Sequence, residues 1–139
     1  MSRWSLALVP ILAAGAVAFA RPGAHAAPPV THHIRMEQRG AKYLFVPADL
    51  TIKQGDLVEF DNVSGYPHDI EFDRDHIPAE ARDVLNANMP QRQGDLQGPF
   101  LTQPHQKYTV SFKGAPKGQY HFFCLPHRAL GMVGVITVK

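Results

Sequence analysis

The sequence predicts an all-β domain, a sandwich or barrel of short strands with one short helix set between them. Three observations carry this: runs that alternate apolar and polar residues, Gly, Pro and Asn turns between those runs, and one segment with helical spacing. Alternation matters because successive side chains of a strand point to opposite faces, so a period of two marks a half-buried strand.

The first 26 residues read as an address. Arg3 supplies a small positive region, and Leu6 to Ala20 form an apolar core free of charge. Small-residue cleavage patterns follow at Ala18-Phe19-Ala20 and at Ala24-His25-Ala26, so a signal peptide over 1–26 is expected, cut after 20 or 26. An uncleaved N-terminal anchor is the alternative, but a spanning helix takes ~20 apolar residues. This run is shorter and contains Pro10. No cysteine stands near the cleavage region, which excludes a lipid-anchored lipoprotein, and a twin-arginine signal is missing. The expectation is one exported, periplasmic domain over 27–139, with no membrane insertion after cleavage. Without Arg3 and Arg21, basic and acidic residues balance at 12 each. The near-neutral surface has no basic stripe with interleaved aromatics, which argues against a nucleic-acid partner.

The elements follow in order. "PPVTHH" is expected as a mobile lead-in, and "IRMEQRG" and "KYLFVP" as short strands flanking Gly40. "LTIKQGDLVEFDN" holds a Gly-Asp turn between two strands, the second with Val58 and Phe60 on one face. In "HDIEFD", His68, Ile70 and Phe72 share the apolar face, while Asp69, Glu71 and Asp73 point the other way. "IPAEARDVLNAN" is the helix: Pro78 suits a first turn, and Ala81, Val84 and Leu85 recur at helical spacing. "KYTVSF" alternates with Tyr108, Val110 and Phe112 inward, and "QYHFFC" with Tyr120, Phe122 and Cys124 on one face. "VGVITVK" closes the domain.

Cys124 is the only cysteine. Exported chains usually use cysteines in pairs, so a single one must be inert core, an intermolecular bridge, a nucleophile or a metal ligand. Alternation puts Cys124 at the end of one strand and His68 at the start of another, both on apolar faces. The loop after Cys124 turns through Pro126 and brings His127 and Met132 to the same end. Two imidazoles, one thiolate and one thioether form the ligand set of a mononuclear blue-copper site. Zinc is the metal rival, but structural zinc sites rarely use Met and usually have more than one Cys. A nucleophilic Cys–His pair lacks an orienting third residue here, and enzymatic activity is not expected.

The stretch "GQYHFFCLPHRALGMVGVITV" resembles the copper-binding segment of plastocyanin, in the cupredoxin family. The C-x₂-H-x₄-M spacing agrees, as does the Gly-Met-x-Gly-x-Ile-Thr-Val that overlaps it. "FDNVSGYPHDIEFDRDHIP" resembles the family's first-histidine segment, and "YLFVPADLTIKQGD" its early strands. The resemblance spans Met36 to Lys139. It implies a cupredoxin-like Greek-key β-sandwich of about eight strands, one type 1 copper ion held by His68, Cys124, His127 and Met132, and service as a diffusible one-electron carrier. The implied partners are redox proteins acting as donor and acceptor, such as a c-type cytochrome or a membrane oxidoreductase, with the carrier a monomer. Copper storage or delivery in the periplasm is the alternative.

Two positions depart from the family pattern. Asp69 stands where plastocyanins commonly carry an Asn that ties the ligand loops, and Phe123 where they carry a Tyr used in docking. The acidic runs of plant plastocyanins are absent, which favours a bacterial plastocyanin-like or pseudoazurin-like carrier. Tyr43, Pro67, Pro126, Ala129, Leu130 and Met132 are expected to form an apolar rim around His127, the electron exit. His32, His33, His76, His105 and His121 are read as surface residues, and Met36 and Met89 as core or loop.

Overall fold

The computed structural model describes Met1 and residues 27–139. The expected leader over 1–26 therefore lies, Met1 apart, outside the described residues. Among the described residues eight strands form: β1 (Thr31–Arg39), β2 (Lys42–Val46), β3 (Asp49–Ile52), β4 (Leu57–Asn62), β5 (Glu71–Phe72), β6 (Gln106–Ser111), β7 (Gly118–Phe123) and β8 (Val133–Val138). One helix, α1 (Ala81–Asn88), follows β5, and two 3-10 segments occupy Arg74–His76 and Leu125–Leu130. One sheet has the order β2-β1-β4-β6 and the other β3-β8-β7-β5. β1 lies parallel to β4 and β3 parallel to β8, while the remaining pairs are antiparallel.

The alternation expected from the sequence sets the inward faces. β4 buries Val58, Phe60 and Asn62, β6 buries Tyr108 and Val110, and β8 buries Gly134, Ile136 and Val138. Between the sheets, Phe45, Phe60, Phe72, Phe112, Tyr120 and Phe122 meet mostly edge to ring, at centroid separations of 4.7 to 6.5 Å. That geometry sets positive ring edges against negative faces, and each such side chain contributes about 1.5–3 kcal/mol by leaving water. Helix α1 buries Ala81 and Leu85 against this core, with Val84 half-covered.

Several expectations need correction. The "THH" of the lead-in is not mobile: Thr31, His32 and His33 open β1 and pair with Leu57, Val58 and Glu59. Asp56 holds this entry in place, accepting hydrogen bonds from the Val30 and Lys53 N–H groups and pairing with the His32 ring at 2.8 Å. His32 is consequently half-buried rather than a surface residue. The strand expected over "HDIEFD" shrinks to Glu71–Phe72, and His68 lies outside both sheets, paired with Leu101 in an isolated bridge.

Candidate metal centre

Cys124 follows the last residue of β7 and is fully buried. The chain then makes a 3-10 turn with Pro126 in its first positions, where the missing proline N–H costs nothing. The His127 N–H donates to the Cys124 carbonyl at 3.1 Å, and the Met132 N–H donates to the His127 carbonyl at 3.2 Å. The Cys124 N–H donates to the Met132 carbonyl at 3.1 Å, closing the loop. Gly131 makes this closure possible: its φ of 85° is left-handed, a conformation open to glycine at little cost, and its N–H caps the Arg128 carbonyl. Backbone bonds thus fix Cys124, His127 and Met132 to one another.

His68 comes from the facing segment. Its backbone exchanges two hydrogen bonds with Leu101, and its ring Nδ1 lies 3.5 Å from the Cys124 Sγ. His127 Nδ1 lies 3.4 Å from the same sulfur. One donor atom from each of His68, Cys124 and His127 falls within 4.8 Å of the others, the one such group among the described residues. Met132 is fully buried beside them in sequence and tied to both loop donors through its backbone.

Residues outside the expected set hold this arrangement. The Ser64 hydroxyl lies 2.9 Å from His68 Nε2, leaving Nδ1 to face the sulfur. Partners on the second ring nitrogen of a ligating histidine fix its orientation. Buried Asn62 organises the same loop, donating to the Tyr66 and Leu101 carbonyls and accepting from the Gly65 N–H. Asp69 was expected to face outward but is fully buried, because the chain crosses the end of the sandwich there. Its Oδ1 accepts from the Leu125 N–H at 2.7 Å and its Oδ2 from Gln97 Nε2 at 2.9 Å. Phe123 is likewise buried, with the Arg128 guanidinium 3.9 Å above its ring and held by Asp73.

The electrostatics suit a cation-binding cluster. Burial pushes His68 down to about 4, with a smaller push from His127, and burial also lowers His127, so both rings are neutral donors near pH 7. Burial pushes the Cys124 thiol up to about 12; the N–H groups of Asp69 and His127 that face the sulfur oppose this, while the Asp69 side chain adds to it. A bound metal ion reverses that preference, since coordination deprotonates a thiol. The donors are one soft thiolate and two imidazoles beside a thioether, a set that fits copper in both oxidation states.

His127 is the donor that reaches the surface. Tyr43 stacks on its ring, centroids 3.8 Å apart, and Tyr66 meets Tyr43 edge-on at 6.1 Å. Pro67, Pro126, Ala129 and Leu130 are exposed, as the expected rim requires. Met132 is not part of that rim, being fully covered, whereas Tyr66 is half-exposed beside Tyr43 and was missed.

A β-sandwich that gathers a thiolate and two imidazoles at one end, two of them from a single closed loop, defines a mononuclear metal-binding protein. The chain belongs to the plastocyanin/azurin family of copper binding proteins, whose family model matches residues 32–139. Its cofactor is copper. The chain is 42% identical over 95 residues to a chloroplastic plastocyanin of Silene latifolia subsp. alba, covering 68% of this chain and 52% of that one. It thus spans about half the length of the Silene protein. A Ginkgo biloba plastocyanin is 36% identical over 106 residues, 76% of this chain and 98% of that one. The structure of oxidised plastocyanin from Dryopteris crassirhizoma aligns with a TM-score of 0.60 and 27% identity, over 78% of this chain and all of that one. Pseudoazurin from Methylobacterium extorquens shares the fold, with a TM-score of 0.55 over 78% of this chain and 75% of its own, at 24% identity.

Proposed function

We propose that this chain carries single electrons through one type 1 copper ion held by His68, Cys124, His127 and Met132. The observation that carries the reading is the convergence of His68, Cys124 and His127 donor atoms within 4.8 Å, in a site where His127 alone reaches solvent. Bound copper supplies a one-electron Cu(II)/Cu(I) couple. The protein contributes a frame: backbone bonds tie Cys124, His127 and Met132 together, and Ser64 and Leu101 fix His68. A frame fixed in this way limits rearrangement when the charge of the site changes.

Electrons cross at the exposed edge of His127, through an apolar surface that includes Tyr43, Tyr66, Pro67, Pro126 and Leu130. A small patch of this kind suits short-lived contacts with donor and acceptor proteins, which turn over rapidly at low affinity. We place the protein in the periplasm, exported by the leader over 1–26, as a monomeric non-enzymatic domain over 27–139. A c-type cytochrome or a membrane oxidoreductase is the class of partner that fits.

Voltammetry combined with chelator competition tests this. Rapid, reversible one-electron cycling with slow copper loss is the expected result. Sluggish cycling with ready Cu(I) release to the chelator would overturn it in favour of copper storage or delivery.

A further inference from the structure

We propose that His76 and His121 form a second metal site, on the outer face of the sheet that holds β7, which takes an exchangeable divalent cation of the Zn(II) class. The inference goes beyond the electron-carrier reading and uses none of the copper-site donors. His121 lies on β7 between Tyr120 and Phe122, whose side chains are buried, so its own ring turns to the outer face. His76 ends the 3-10 segment that follows β5 and is exposed. Both rings line a surface groove of about 440 Å³, together with Asp49, Asp73 and Arg128.

Backbone bonds set this pair in advance. The Asp73 N–H donates to the His121 carbonyl at 2.9 Å, and the His76 N–H donates to the Asp73 carbonyl at 2.9 Å. The Asp73 carboxylate caps the same turn, accepting from the Asp75 N–H at 3.2 Å. Asp73 thus fixes the two histidines relative to one another. Two imidazoles on one ion at ~2.0–2.1 Å, with a tetrahedral angle between them, set their ring centroids about 5 Å apart. The His76 and His121 centroids are 5.5 Å apart with planes at 53°. His68 and His127 at the copper centre stand at 4.9 Å and 62°. The outer pair is spaced as ligands are.

Asp73 also supplies a carboxylate behind the ligand. Its Oδ2 lies 3.2 Å from His76 Nδ1, which leaves Nε2 free to ligate. A carboxylate on the second ring nitrogen of a ligating histidine fixes the ring and strengthens it as a donor. The same oxygen pairs with Arg128 at 3.0 Å, so that guanidinium does not stand uncompensated beside the ion. Asp49 adds a further negative charge to the groove. The His121 ring is half-exposed, and among the described residues it joins no ion pair. Imidazole suits Zn(II), and water fills the positions that the protein leaves open. Two protein donors make an open site, so its metal exchanges with solution.

Copper-loaded protein tests this with zinc, because its first site is already filled. Dialysed against Zn(II), wild type should gain one zinc per chain while its copper content and absorption spectrum stay unchanged. His76→Ala and His121→Ala should each weaken zinc binding about tenfold or more. His121→Gln should weaken it equally, which separates lost ligation from lost packing. His33→Ala removes an exposed histidine outside the groove and should bind zinc like wild type. Zinc should also raise the melting temperature of wild type and His33→Ala, but not of the groove variants. Zinc affinity that survives in His76→Ala or His121→Gln, or zinc that enters only as copper leaves, would overturn the second site.

Discussion

The Tyr43 ring lies parallel on the His127 imidazole, with centroids 3.8 Å apart and planes 8° from one another. Tyr43 comes from β2 in one sheet and His127 from the loop that links β7 to β8 in the other, so this stack clasps the two sheets at the metal end. It covers one face of the only donor ring that reaches solvent. A stacked pair adds about 1 kcal/mol beyond its buried area. Tyr43→Ala should therefore lower the melting temperature and speed copper loss to a chelator several-fold, whereas Tyr43→Phe should change neither. Equal copper loss in Tyr43→Ala and wild type would show that the stack does not hold His127.

Gly134 is required by packing rather than by turn geometry. A Cβ there would lie 2.4 Å from Phe122 Cζ and 2.7 Å from the Ala48 carbonyl oxygen. The Val135 N–H also donates to that carbonyl at 2.8 Å, so the backbone has little room to move away. Gly134→Ala should cost about 1–3 kcal/mol by overpacking. Chemical denaturation of the metal-free protein measures this, and a loss below experimental error would contradict the close approach.

Pro126 stands in the ligand loop without an N–H, so it cannot donate to the Cys124 sulfur. Hydrogen bonds to a copper-bound thiolate withdraw electron density and favour Cu(I). Pro126→Ala restores a donor to the loop and should raise the reduction potential. A potential that stays level or falls on voltammetry would count against this.

At the opposite end, the Val30 N–H, the His32 ring and the Lys53 N–H hold the Asp56 carboxyl down at about 2, against an ordinary 3.8. The native state thus favours the ionised form more than the unfolded chain does. That stability is fully present above about pH 4 and is lost as pH falls through about 2, an amount near 2 kcal/mol. Metal-free wild type should lose stability across this window. Asp56→Asn should be less stable at pH 7 and show a flatter acid limb, and an identical acid limb would exclude Asp56 as its source.

How far the sequence disclosed this protein depended on periodicity. Tyr108, Val110 and Phe112 declare their strand because a half-buried strand needs alternation, and they are buried as expected. Spacing and resemblance placed Cys124, His127 and Met132 in one loop, and backbone hydrogen bonds tie the three together there. Asp69 and Phe123 were not placed correctly, because alternation fails where a strand ends and the chain folds over the core. Polar "THH" resembled a loop, since its pairing with β4 depends on residues some 26 positions away. Ser64 and Asn62 gave no signal at all: polar residues in a turn look alike whether they face water or hold a histidine.

The most direct measurement is the absorption spectrum of the copper-reconstituted protein beside that of Cys124→Ser. Wild type should bind one Cu(II) per chain and show an intense blue band, and Cys124→Ser should lose it, since the band requires a thiolate on copper. A colourless wild-type protein, or a blue band that survives in Cys124→Ser, would contradict the assignment of Cys124 as a copper ligand.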